Sequence, residues 1–385
     1  MASFYRRGKT WSFSIDIGYD KDGKRKKKQM GGFRTKKEAE AAAAQLQIEL
    51  TQGTYVEEKD ITFRAFAEIW LKRYSANVKK GSVRIRTHEL NNLYHYFDQI
   101  KIKDITKIQY QDALLDMQTR GYAETTIAGV HGTGRMVFKA AVELDVIKRD
   151  PTEFARPPRK RETIEDIAEE IPKYLEKEEL ATFLRLAHDG GLGDDYAVFL
   201  VLAYTGMRGG ELCALKWSDI DFDQHTISIT KTYYNPNNNI KKYELVPPKT
   251  AASKRIIPVS EKVTKELERH RARQLKAKMR NRDVWYDENF VFTVDKYPGY
   301  PIYLKLVEIR MARLLRLSEL NQELTPHSLR HTHTSLLAEA GVGLEEIMER
   351  LGHTDDEVTR KVYLHVTKEM KKEAARKFGE LMDNL

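Results

Sequence analysis

The stretch Thr205-Gly206-Met207-Arg208-Gly209-Gly210-Glu211-Leu212 decides how the second half of the chain folds. It follows the longest apolar run, Ala197 to Ala203, which suits a core helix ending near Tyr204. The glycine turn stops that helix and starts another, with Arg208 in its first turn. There the backbone amides and the guanidinium face the same anion. Glu211 lies three residues on and is placed to orient Arg208. Taken alone, the same residues also describe an ordinary helix–turn–helix with a surface salt bridge.

Two later segments sharpen the reading. Thr325-Pro326-His327-Ser328-Leu329-Arg330-His331-Thr332 puts His327 and Arg330 at i and i+3, on one face if the segment is helical, with Pro326 in the first turn. His331 and His333 are two apart and do not share a face, so no metal site is expected from them. In Leu351-Gly352-His353-Thr354, Gly352 reads as a helix stop. Tyr363 follows ten residues after His353, near the end of the next helical stretch, with His365 beyond it. The chain has 19 tyrosines, so only the order and spacing give this one meaning. Two arginines can grip one phosphate with planar forks. Two histidines can hold or move protons near neutral pH. A tyrosine hydroxyl can attack phosphorus and store the bond energy as a phosphotyrosine. Together they point to breaking and rejoining DNA strands through a covalent protein link, without a metal.

Composition agrees with a nucleic-acid partner. The 385 residues suggest two or three domains, and 41% hydrophobic content is enough for folded cores. Net charge is +9 and the sequence pI is about 9.2. Residues 1–40 hold twelve Lys/Arg against five Asp/Glu, so most of the excess sits in one short segment, as phosphate binding by counterion release needs. The single cysteine, Cys213, excludes an internal disulfide and reads as a small buried hydrophobe in a reducing cytoplasm. The N-terminus turns polar at once (Arg6, Arg7, Lys9), so neither a signal peptide nor a membrane span is expected.

The fold expected is multidomain and mainly α with small β elements. Residues 1–56 form a small sheet plus helix. Trp11, Phe13, Ile15 and Ile17 alternate on one strand face. Asp20-Lys21-Asp22-Gly23 turns the chain, and Lys24, Arg25, Lys26, Lys27 and Lys28 return as a second strand. Thr35-Lys36-Lys37-Glu38 is a capping box opening an alanine-rich helix to about Leu50. The basic run is a solvated hairpin or a DNA contact, and a two-stranded ribbon can enter the major groove.

Residues 57–150 read as helices, with Thr62 capping the first and further patterns over 81–98, 106–119 and 123–145. Trp70, Tyr94 and Phe97 are expected in its core. Lys79, Lys80, Arg84, Arg86 and Lys107 lie on polar faces, of which Lys79, Lys80 and Arg84 are candidate DNA contacts. Residues 151–173 interrupt every periodicity and read as a linker. Residues 174–385 form a mixed α/β catalytic domain with short strands around 226–231, 243–247 and 254–259.

The ordered set Thr-Gly-Met-Arg-x-x-Glu-Leu, His-x-x-Arg-His, Leu-Gly-His and the following Tyr resembles the tyrosine recombinase (phage-type integrase) family over about 175–385. The earlier parts are similar in layout to integrases of conjugative transposons and temperate phages of low-GC Gram-positive bacteria. The resemblance implies a catalytic lysine on a β-hairpin. Pro248-Lys249-Thr250 supplies Lys249, with Lys254 as competitor. It implies a mechanism in which Tyr363 attacks, Arg208 and Arg330 hold the phosphate, Lys249 protonates the leaving oxygen, His327 exchanges a proton with the tyrosine and His353 steadies the phosphate. No cofactor or metal is implied.

The partners implied are double-stranded DNA at core and arm attachment sites, a homotetramer on DNA, and an excisionase or DNA-bending accessory protein as a candidate. The segment Thr354-Asp355-Asp356-Glu357-Val358 is more acidic than the family form, and Asp355 and Asp356 are candidate helix caps. Met370, Ala374, Phe378 and Leu381 form an apolar stripe, which packs either on its own domain or on a neighbouring protomer. Two alternatives remain: a type IB topoisomerase-like nicking-closing enzyme, and a non-catalytic DNA-binding regulator.

Overall fold

The computed structural model describes residues 2–19, 22–53, 55–56, 58–159, 173–248, 253–352 and 357–383, with only some side chains of the last helix. Two compact units result, Met1–Glu162 and Thr163–Leu385. Among the described residues no helix is long and apolar enough to cross a membrane.

The first unit holds two separate cores. Strands β1 (Ser3–Arg7), β2 (Thr10–Tyr19) and β3 (Arg25–Phe33) form an antiparallel sheet in that order. The sheet therefore has three strands where the residue pattern alone predicts two. Phe13 and Ile15 bury one face against Ala39, Ala43 and Leu46 of α1 (Lys36–Thr51). Thr35 caps α1 by accepting from the Glu38 amide, while Glu38 reaches back to the Arg34 amide. In the register, Tyr5, Ser12, Ser14, Lys27 and Gln29 fall on the face away from α1.

The second core is a helical bundle of α2 (Phe63–Ser75), α3 (Lys80–Phe97), α4 (Lys107–Thr119) and α5 (Glu124–Glu143). Thr62 caps α2 by accepting from the Ala65 amide. Trp70 and Phe97 are buried and Tyr94 packs partly buried on the same cluster, as their helical spacing predicts.

The second unit is built around α7 (Asp195–Thr205), whose apolar residues are buried on every side. α6 (Lys177–Gly190), α9 (Glu261–Arg280), α10 (Leu304–Arg316) and α11 (Ser328–Glu339) surround it. A three-stranded antiparallel sheet, β4 (Ile220–Asp221), β5 (Thr226–Ile229) and β8 (Arg255–Pro258), closes one side. Two small hairpins join it: β6 (Thr232–Tyr234) with β7 (Glu244–Val246), and β9 (Thr293–Val294) with β10 (Tyr297–Pro301). The short α8 (Gly209–Cys213) follows α7, and Cys213 is buried, as its apolar neighbours imply. α12 (Leu344–Leu351) and the long α13 (Glu357–Asp383) complete the chain.

Candidate active site

Two glycine stops bring the motif segments together. Gly206 ends α7 at φ 61° and Gly352 ends α12 at φ 69°, both left-handed, where a side chain is strained. Space is short as well: a Cβ on Gly206 would lie 2.7 Å from both His333 Cδ2 and Leu351 Cδ2.

Arg330, the third residue of α11, spans the two stops. It is 2% exposed. Its Nη1 donates to the Gly206 carbonyl (2.6 Å) and its Nη2 to the Leu351 carbonyl (2.7 Å). A buried guanidinium is tolerated when hydrogen bonds replace its water, and here the replacements are carbonyls of two segments that the sequence singles out. His327 stands three residues before Arg330, in helical backbone conformation (φ −69°, ψ −28°). It is the N-cap of α11, exposed, with Pro326 one residue before it rather than in the first turn. Its ring meets His331 edge-on, centroids 4.9 Å apart.

Arg208 caps α8 instead of standing in its first turn, a shift of one residue from the sequence reading. Its amide donates to Glu211 Oε2 (2.9 Å) and its Nη1 to Oε1 (3.0 Å). Glu211 is buried and also accepts from Arg255, Nη2 to Oε2 at 2.8 Å and Nη1 to Oε1 at 3.3 Å. Burial alone pushes this carboxyl up. The Arg255 guanidinium, followed by Arg208, outweighs that and holds it below the usual carboxylate range.

Sequence reasoning passes over three residues here. Arg255 also donates from Nε to the Arg350 carbonyl (2.8 Å) and from Nη1 to the Ser253 carbonyl (3.1 Å). Arg350 donates to the carbonyls of Pro258 (2.8 Å) and Tyr204 (3.2 Å), and from Nε to His333 Nε2 (3.0 Å). An arginine can only donate, so His333 Nε2 accepts, and its Nδ1 carries the proton given to the Ala203 carbonyl (2.9 Å). Burial drives the His333 imidazole down to about 3, with the Arg350 cation adding to the effect, so it stays neutral. A signal for Arg255 is present in the sequence. It shares the inward face of β8 with fully buried Ile257, whereas Ile256 between them is exposed.

Tyr363 lies in the second turn of α13, not near the end of a shorter helix. It is half-buried and packs against the small cluster of Ala338, Ile347, Leu351 and Val366. Lys249 and His353 lie outside the described residues, as do Asp355 and Asp356; Lys254 is exposed. Met370 and Phe378 are exposed, and the side chains of Ala374 and Leu381 lie outside those described. Among the described residues no group of three or more His, Cys, Asp or Glu side chains is placed to hold a metal ion. In the first unit Lys24, Arg25, Lys26 and Lys27 are exposed and Lys28 is half-buried. Lys79, the N-cap of α3, is exposed, as are Lys80 and Arg84 in its first turns.

Residues 173–370 match the phage integrase family. The chain belongs to that family. Residues 3–50 match an arm DNA-binding domain and residues 62–117 the N-terminal SAM-like domain of phage integrases. The integrase of Staphylococcus phage L54a is 30% identical over 347 residues, covering 84% of this chain and 94% of that one. Two solved structures share the fold. The Tn1549 transposon integrase in complex with a circular intermediate DNA has a TM-score of 0.65 at 22% identity, covering 82% of this chain and 99% of that one. A lambda integrase tetramer bound to a Holliday junction has a TM-score of 0.56 at 16% identity, covering 93% and 94%. This phage-type integrase is therefore a tyrosine site-specific recombinase that cuts and rejoins DNA.

Proposed function

We propose that Tyr363, Arg208, Arg330, His327, Lys249 and His353 form its active site. The Tyr363 hydroxyl oxygen attacks the scissile phosphorus in line. A phosphorus–oxygen bond to the tyrosine forms as the bond to the 5′-oxygen breaks, leaving a 3′-phosphotyrosine and a 5′-hydroxyl. The tyrosine proton passes to His327, and Lys249 protonates the departing oxygen. Arg208 and Arg330 bring positive charge to the non-bridging oxygens, whose charge grows in the transition state, and His353 hydrogen-bonds the phosphate. Glu211 orients Arg208. Attack by the 5′-hydroxyl of another strand reverses each step and reseals a recombinant. The observation that carries this reading is the Arg330 clamp, which ties the Arg208 and His353 segments to the helix begun by His327. Lys249 and His353 enter on the family resemblance.

In the same reading residues 1–56 hold arm-type sites, 57–150 core sites, 151–173 link them, and 174–385 carry the chemistry. Recombining two duplexes takes four tyrosines, hence a homotetramer on DNA, as in the lambda relative's complex. Exposed Met370 and Phe378 give α13 an apolar face for a neighbouring protomer. An excisionase or DNA-bending protein sets direction, and the protein works in the bacterial cytoplasm on the nucleoid.

The test is a nicked suicide duplex carrying the core site, taken from the DNA flanking the gene. Tyr363→Phe abolishes the covalent band on a denaturing gel and leaves core-site affinity unchanged; a band from this variant overturns the assignment. Lys249→Ala slows cleavage about 10²–10⁴-fold, and a 5′-bridging sulfur, which leaves without a proton, restores the rate. Rescue of Lys254→Ala instead names the other lysine.

A further inference from the structure

Glu211 is an odd neighbour for a phosphate-gripping arginine. A buried carboxylate 3.0 Å from Arg208 turns that cation into half of a neutral pair, and a neutral pair attracts an incoming phosphate weakly. The structure holds a third party. Arg255, its side chain 6% exposed, places both terminal nitrogens on the two oxygens of Glu211. One carboxylate shared by two guanidinium groups leaves the trio with one net positive charge. Arg208 is the outward member, with its side chain 33% exposed against 6% for Arg255.

We propose that Arg255 is a positioning residue for strand cleavage: it saturates Glu211, so that this carboxylate orients Arg208 without neutralising it. The rest of the Arg255 guanidinium fixes the position of that saturation. Nε is held by the Arg350 carbonyl, two residues before Gly352, and Nη1 by the Ser253 carbonyl. The guanidinium is thus bonded to the Arg208 turn, to the segment after Lys249 and to the segment before His353. The inference rests on the active-site reading above, with Arg208 as the phosphate grip.

The experiment uses full-length protein and the nicked core-site duplex at saturating DNA, with either a normal scissile phosphate or a methylphosphonate, in which a methyl group replaces one charged oxygen. A neutral centre asks less of Arg208. Arg255→Met loses about 10²-fold in covalent attachment on the phosphate, the size expected for one preorganised donor, and less than tenfold on the methylphosphonate. Adding Glu211→Gln to Arg255→Met recovers part of the phosphate rate, because an amide cannot neutralise Arg208. Arg255→Lys keeps the charge without the fork and falls about tenfold; it carries the same substrate comparison if the Met variant does not fold. Equal losses on both substrates, or a double variant no better than the single one, overturn the proposal and leave Arg255 as a fold element. Wild-type protein that forms no covalent band, or Tyr363→Phe that does, overturns the underlying active-site reading instead.

Discussion

The N-terminal sheet and the arginine-laced end of the catalytic unit hold their cations in opposite ways. Lys24, Arg25, Lys26 and Lys27 are exposed on a strand and its approach, over a small core centred on Phe13, Ile15, Ala39, Ala43 and Leu46. Arg330, at 2% exposed, and Arg255 are buried and bonded to backbone carbonyls and to Glu211. Each arrangement suits its task. Counterion release from a phosphate polymer needs charge near the duplex, and a solvated lysine supplies it without fixed geometry. In-line attack at one phosphorus needs a cation held in one place through the reaction. A guanidinium that exchanges water for carbonyls is held so, and the carbonyls here belong to the segments that the proposed active site aligns. Exposed charge here is carried on the strand backbone, and buried charge is held by hydrogen bonds on the side chain itself.

The sharpest way to break this contrast uses two glycines with the same backbone. Gly8 lies at φ 60° and Gly206 at φ 61°. Nothing stands within 4 Å of a Cβ at Gly8, whereas at Gly206 two side-chain carbons lie at 2.7 Å. Gly8→Ala meets only the left-handed penalty, about 1–2 kcal/mol. Gly206→Ala adds overpacking of about 1–3 kcal/mol and displaces the carbonyl that holds Arg330. Urea unfolding read by tryptophan fluorescence and by far-ultraviolet dichroism measures both, and cleavage of the suicide duplex falls only for Gly206→Ala. Equal destabilisation by the two variants would show that the catalytic end is no more tightly locked than the sheet.

A smaller effect comes from His333, inside the locked region. Its imidazole titrates near 6.5 when unfolded and at about 3 when folded, because it is buried beside Arg350. Between these values the unfolded chain binds the extra proton, so stability is full above about pH 6.5 and is lost as pH falls toward 3. The slope is about 1.4 kcal/mol per pH unit, or about 2 kcal/mol lost by pH 5. His333→Gln, which retains a donor and an acceptor, removes this proton from the pH dependence of the urea midpoint between pH 5 and 6.5. The same slope in both proteins would mean that the histidine is not held neutral.

The sequence carries the locked region unevenly. Gly206, Gly352, Thr35 and Thr62 are legible because each acts on its own turn, through φ or a capping oxygen. Arg208 and Arg330 are legible as types, yet Arg208 caps its helix one residue ahead of the place read for it, since helix ends depend on tertiary bonds. The long α13 is read too short, with Tyr363 near a helix end, although no glycine or proline interrupts Glu357 to Phe378. Strand β1 escapes the pattern because Ser3–Arg7 is short and only its pairing with β2 makes it a strand. His333 and Arg350 bond partners up to 146 residues away, which no local pattern records. Arg255 is the intermediate case. Its inward register beside Ile257 is visible, but a charged residue on a buried face is normally read as a surface one.

The finest contrast lies within the sheet itself. The register sets Lys27 opposite Asp16 on the face away from α1, and Lys28 opposite Ile15 on the face toward it. If the open face meets arm-site DNA, Lys27→Ala leaves one phosphate without its cation and Lys28→Ala leaves none. Each phosphate no longer neutralised lowers the slope of log affinity against log salt by about 0.9. A filter-binding series from low to moderate salt on an arm-site duplex therefore shows a slope shallower by about one for Lys27→Ala and unchanged for Lys28→Ala. On a core-site duplex neither variant moves the slope, because that site belongs to residues 57–150 in the proposed division. If both lysines change the arm slope alike, the sheet attracts DNA through its summed field rather than through one face. The opposition is then between a summed field on the sheet and fixed bonds in the catalytic unit.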